Sequence, residues 1–266
     1  MSLGTHLTGR KTARLWRSLL ELTLATAGLV LCQAPPAGAA SFTVNPVQVF
    51  LSASTRSALI TVKNETDQPL RFQLNAVAWS QSPDGQMQTA STQDVVVFPP
   101  LLTLQPKEER KVRVGVTVAP GTVEKTYRLF VEELPSATPD DVVNGVRMLT
   151  KMGIPIFLEP AKPAARALLR ELSAKAGRFS FRLENQGTMH FVPQLVRVTG
   201  LDGAGLALFE QKPNAWYILA GGVRVFDLEV PQASCSQLRS VVVDIQLNNQ
   251  SSLKESLQVP QGGCGK

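Results

Sequence analysis

The sequence is short of the residues that do chemistry. Its 266 positions hold two histidines, three cysteines and two tyrosines, and aromatic residues make up 6%. Beyond residue 40 a single histidine remains, His190, and any Ser-His-Asp or Cys-His arrangement would have to use it. There is no G-x-S-x-G elbow and no cysteine in a recognisable nucleophile motif. One histidine and two cysteines cannot assemble the usual zinc sets, so neither a metal nor a cofactor is expected. Carboxylates are paired at Glu108-Glu109, Glu132-Glu133 and Asp140-Asp141. Neighbours on a strand point to opposite faces, so none of these pairs presents two carboxylates together. Glycines stand singly in turns apart from Gly221-Gly222 and Gly262-Gly263, and no phosphate-cradling loop is present. His190 follows Gly187-Thr188-Met189 and reads as a surface or half-buried turn histidine. An exported hydrolase would need it in a cleft beside a nucleophile; enzymatic activity is not expected.

Long apolar runs are confined to the first forty residues. Arg10, Lys11, Arg14 and Arg17 precede an apolar run from Leu19 to Cys32, broken by Glu21, and Ala37-Gly38-Ala39 or Gly38-Ala39-Ala40 offers a small-residue cleavage site. Residues 1–40 therefore read as a cleaved signal peptide rather than a membrane anchor. The run falls short of the roughly 20 residues that span a bilayer, and Pro35-Pro36 ends it. No membrane insertion of the mature chain is expected. The formal charge is +6, and removing the leader's four cations and one anion leaves about +3. No run of basic residues tracks phosphates, so nucleic acid is not an expected partner. Cleavage leaves two cysteines, Cys235 and Cys264. An even pair in an oxidising compartment suggests one disulfide, the alternative being two free thiols.

What is present is period-two alternation. Leu70, Phe72, Leu74, Ala76 and Ala78 alternate with Arg71, Gln73, Asn75, Val77 and Trp79. Val112, Val114, Val116 and Val118, then Phe179, Phe181 and Leu183, then Val241, Val243, Ile245 and Leu247 repeat the pattern. Asp84-Gly85 and Asp202-Gly203 are hairpin-type turn signals. Many short half-buried strands predict an all-β chain of β-sandwiches. Only Ala164 to Ala176 suggests a helix, and its place between strands equally allows a connector and a first strand. The pattern breaks at Glu159-Pro160-Ala161-Lys162-Pro163, which sets domains at 41–159 and 160–266.

Two strands are unusual. Phe42 and Val44 point one way, Asn45-Pro46 shifts the phase, and Val47, Val49 and Leu51 continue, as in an edge strand that switches sheets. Val142, Asn144, Val146, Met148, Thr150, Met152, Ile154 and Ile156 then share one face over about two ordinary strand lengths. Such a strand is either central or covered by a partner chain, because a long bare apolar edge aggregates.

Ordered motifs run through the chain. They include Pro46-Val47-Gln48-Val49, Leu59-Ile60-Thr61-Val62-Lys63-Asn64, Trp79, Phe98-Pro99-Pro100 and Leu104-Gln105-Pro106. Val112-Arg113-Val114, Tyr127-Arg128-Leu129-Phe130-Val131-Glu132-Glu133-Leu134-Pro135, Gly153-Ile154-Pro155-Ile156-Phe157, Asn185-Gln186-Gly187 and Leu219-Ala220-Gly221-Gly222 follow. This set resembles the periplasmic chaperones of chaperone–usher pilus assembly, in their archaic, spore-coat-like form. The resemblance implies two immunoglobulin-like sandwiches around a cleft, a periplasmic location, and no catalysis. It also implies two partners, a pilus or surface-coat subunit lacking its last strand and an outer-membrane usher. Donor-strand complementation then places Val146, Met148, Thr150 and Met152 in the subunit's groove, with Ile154 continuing that strand. Better-known members grip the subunit's C-terminal carboxylate with two cations, where this sequence has Val47 or Gln48, and Pro155. The resemblance leaves Lys151, Arg147 or Arg128 to supply that charge. The rival reading is an immunoglobulin-like structural or surface-adhesion subunit, which would need a free N-terminal extension of alternating apolar residues.

Overall fold

Alternation becomes sheets in the way the sequence predicts. The computed structural model describes residues 42–135, 148–248 and 251–264, all within one compact unit. The leader, Val146 and Arg147 lie outside the described residues. Ten strands come first: β1 (Phe42–Asn45), β2 (Val49–Leu51), β3 (Ser57–Asn64), β4 (Leu70–Gln81), β5 (Met87–Ser91), β6 (Val95–Phe98), β7 (Leu101–Leu104), β8 (Glu109–Val116), β9 (Lys125–Leu134) and β10 (Lys151–Leu158). One sheet has the order β1-β3-β8-β6, and the other β2-β10-β9-β4-β5 with β7 also pairing β4.

The kinked first strand does switch sheets. β1 runs antiparallel to β3 in one sheet, and β2 runs parallel to β10 in the other. The Asn45–Pro46 peptide bond between them is cis. Phe42, Phe72, Val112, Val114 and Leu129 fill the space between the two sheets. Each such side chain removed from water contributes roughly 1.5–3 kcal/mol.

A second sandwich follows: β11 (Ala167–Lys175), β12 (Arg178–Asn185), β13 (Pro193–Leu201), β14 (Ala207–Gln211), β15 (Val223–Glu229), the short helix α1 (Gln232–Cys235), β16 (Ser240–Leu247) and β17 (Ser252–Gln258). Its sheets have the orders β11-β12-β15 and β14-β13-β16-β17. The Ala164 to Ala176 segment is thus a connector and a first strand, paired with β12. Phe179, Phe181, Leu183, Val241, Val243 and Ile245 make this second core.

Cys235 and Cys264 are joined, with Cα atoms 5.2 Å apart, which ties the segment after β17 to α1. They are 29 positions apart, and the chain-entropy relation gives a bridge of that length roughly 3–4 kcal/mol. Reduction, or Cys235→Ser, is therefore expected to lower the melting temperature by about ten degrees or more. Calorimetry with and without reductant measures it; an unchanged transition shows that the bridge adds nothing to the second sandwich.

Candidate functional site

β10 pairs with β9 along its whole length, from Lys151↔Glu132 to Leu158↔Lys125. Its other edge is covered by β2 only at Ile156–Leu158. Among the described residues no strand pairs with that edge over Lys151–Pro155. Pro155, which has no N–H to donate, is tolerated in the strand for that reason.

The two faces of β10 have different fates. Ile154 is 1% exposed and Ile156 fully buried in the first core, with Met152 packed partly against it. By alternation Thr150 and Met148 continue this face, and Met148 is 86% exposed. The core-facing row therefore runs past the end of its own core. Two expectations change here. Ile154 is committed to the chain's own interior and is not available to a partner's groove. The described part of the long apolar run is a strand only from Lys151 onward.

The candidate cations differ sharply in setting. Lys151 is half-exposed, 2.8 Å from Glu132 and 4.7 Å from the centroid of the Phe130 ring. Arg128 is 5% exposed. It lies on the face of β9 opposite Tyr127 and Leu129, which enter the core. Arg128 Nη1 donates to the Gly153 carbonyl at 3.1 Å. Its guanidinium carbon is 4.1 Å from the Trp79 ring centroid and 4.6 Å from that of Trp216. Arg128 Nε and Nη2 and Trp79 Nε1 are buried and have no hydrogen-bond partner among the described residues. Burial pulls the Arg128 pKa below its ordinary value, opposed by Tyr217. Spare donors of this kind can be met by an acceptor, and a carboxylate matches a planar guanidinium best.

Trp79 and Phe157 stand on outward faces of β4 and β10, yet both are buried. They pack with Tyr217 and Leu219 of the second sandwich in a cluster separate from the two cores. Beside them, His190 stacks on Phe157 with ring centroids 3.8 Å apart. Gln48 Nε2 donates to the Tyr217 hydroxyl, and Leu219 N donates to Gln81 Oε1 at 3.3 Å.

His190 is thus not a surface or half-buried turn residue. It is buried, with Nδ1 2.8 Å from Glu124 Oε2, and its backbone N–H donates to the same oxygen at 3.0 Å. Glu124 N donates to Thr188 O at 2.8 Å, and its carboxylate is fully buried. The pair joins the segment just before β9 to the turn before β13.

A family model described as pili and flagellar-assembly chaperone, PapD N-terminal domain, matches residues 41–164. The first sandwich therefore belongs with the N-terminal domains of the pilus-assembly chaperones. No curated protein matches it by sequence. Among solved structures, one similar chain is the chaperone–tip adhesion subunit complex CsuC-CsuE of archaic Csu pili from Acinetobacter baumannii. It has 18% identity and a TM-score of 0.54, covering 81% of this chain and 98% of that one. The Salmonella enterica SafA pilin–SafB chaperone complex gives 15%, 0.52, 84% and 98%. The Pseudomonas aeruginosa CupB2 chaperone gives 14%, 0.51, 82% and 100%. At these identities the likeness establishes the fold, two immunoglobulin-like sandwiches.

Within this pilus-chaperone fold, four functional candidates escaped the sequence reading: Glu124, Phe157, Trp216 and Tyr217. One had a visible signal. Phe157, like Trp79, is a large aromatic out of phase with the apolar face of its own strand, which marks a sheet surface that something else covers.

Proposed function

We propose that the chain is a periplasmic chaperone, exported by residues 1–40, that captures a pilus or surface-coat subunit by donating a strand and passes it to an outer-membrane usher. The observation that carries this reading is the β10 edge. Backbone groups over Lys151–Pro155 have no strand partner on one side, and the adjoining core-facing row ends in bare Met148. A subunit lacking its last strand would pair with this edge and accept Met148, Thr150 and Met152 in its groove, with Val146 beyond them. Met152 lies where the two cores would join. Arg128 supports a second contact, with the subunit's C-terminal carboxylate, because its spare donors and aromatic walls suit a planar anion. Lys151 already has Glu132 beside it and is the weaker candidate. Catalysis plays no part.

The test is co-expression with candidate subunits encoded nearby. Subunit should stay soluble and co-purify one-to-one with the chaperone; subunit that aggregates equally with and without the chain defeats the proposal.

A further inference from the structure

His190 and Arg128 lie at opposite ends of one aromatic row. Glu124 immediately precedes β9, four residues before Arg128. His190 stacks on Phe157, whose ring centroid is 5.5 Å from that of Tyr217; Tyr217 is 5.3 Å from Trp216, which lies against Arg128. The backbone makes the coupling stiff. Phe191 N donates to Ile218 O at 3.2 Å and Ile218 N to Phe191 O at 2.9 Å. Asn185 Nδ2 donates to both Met189 O and Ile218 O. The turn carrying His190 and the segment carrying Trp216 and Tyr217 therefore move together. Trp216 itself is 43% exposed and also packs on Trp79, ring centroids 5.4 Å apart.

The Glu124 carboxylate is fully buried, and its Oε1 has no partner. Phe157, Phe50 and Tyr217 surround the imidazole, so Glu124 and the Tyr217 phenol are the titratable groups against it; along β9 the nearest cations are Lys125, which reaches Asp94, and then Arg128. A carboxylate in so dry a site needs a positive partner, and neutral imidazole supplies only a hydrogen bond.

We propose that His190 is a positioning residue for the anchor. Protonated, it clamps the second sandwich onto Glu124 and holds Trp216 against Arg128; when the proton leaves, the clamp loosens and carboxylate capture weakens. The sign follows from the charge: the clamp holds while the imidazole carries its second proton and weakens when that proton leaves. The carboxylate part rests on Arg128 as the anchor proposed above, whereas the clamp does not.

The test uses the purified chain, a short valine–serine peptide with a free C-terminus, and its amidated twin, titrated between about pH 5.5 and 8. Tryptophan emission of the peptide-free chain is followed in parallel, with Trp216→Phe assigning the Trp216 share. We expect the Trp216 emission to shift red with rising pH and affinity for the free-acid peptide to fall about tenfold, an ordinary size for coupled sites. Glu124→Gln and His190→Gln should each flatten both profiles. A parent emission that does not move, or variants that keep the parent's profiles, overturns the clamp. Equal affinity for acid and amide at the lower pH overturns Arg128 as the anchor, and the emission profile alone then decides the clamp.

Discussion

Met148→Glu is expected to abolish subunit capture while leaving the chain folded. Met148 is 86% exposed, and exposed substitutions away from caps and networks shift stability by roughly half a kcal/mol or less. The melting temperature should therefore stay within a few degrees of the parent's. In the complex the same position would be buried, and an unpaired carboxylate in an apolar groove costs several kcal/mol. Losing the apolar contact removes roughly 1.5–3 kcal/mol more, enough together to weaken binding at least a thousandfold. Leu149→Glu is the control. It is also exposed, but alternation turns it to the opposite face, so it should keep most of the capture. Pull-down of co-expressed subunit with each variant reads the difference. If Met148→Glu captures as well as the parent, strand donation does not occur through this segment. If Leu149→Glu is the one that fails, the donated face is the other one and the register is off by a residue.

The cores of both sandwiches were legible because they rest on a local period. Val112 and Val114 announce a buried face by themselves, as do Phe179, Phe181 and Leu183. The sheet switch at Asn45-Pro46 was legible for a similar reason, since a phase shift beside a proline has few structural solutions. The contacts between the sandwiches were not. Period two states which residues share a face; it does not state which faces of a sheet a distant segment will cover. Trp79 and Phe157 therefore look like solvent-side residues until residues 215–219 are placed over them. His190 follows the same logic. Its sequence neighbours are turn formers, and its burial comes from Glu124, 66 positions away. Arg128 was one of three candidate cations, the other two, Lys151 and Arg147, alternating away from the groove-facing set. Burial separates it from Lys151, which lies on a half-exposed face with a carboxylate already beside it.

Arg128→Met is expected to separate folding from function in the opposite sense to a core mutation. The guanidinium is buried with Nε and Nη2 unpartnered and one bond, to Gly153 O. Each buried donor without an acceptor costs about 1–3 kcal/mol. Replacing buried charge by an apolar side chain of similar length is often neutral or stabilising by about 1–4 kcal/mol. The variant should therefore melt at or above the parent's temperature, with methionine filling the space against Trp79 and Trp216. Client binding should fall instead. One charge-assisted bond to a carboxylate is worth about 1.5–3 kcal/mol, so affinity should drop roughly ten- to 150-fold. Arg128→Lys should recover only part of that, because an ammonium cannot match a carboxylate with two parallel donors. Comparing a client with its native chain end against one carrying a few extra C-terminal residues completes the test. The extension should weaken binding to the parent and make no further difference in Arg128→Met. If Arg128→Met loses stability and binds the native chain end as well as the parent does, the arginine belongs to the fold and the chain end is held elsewhere.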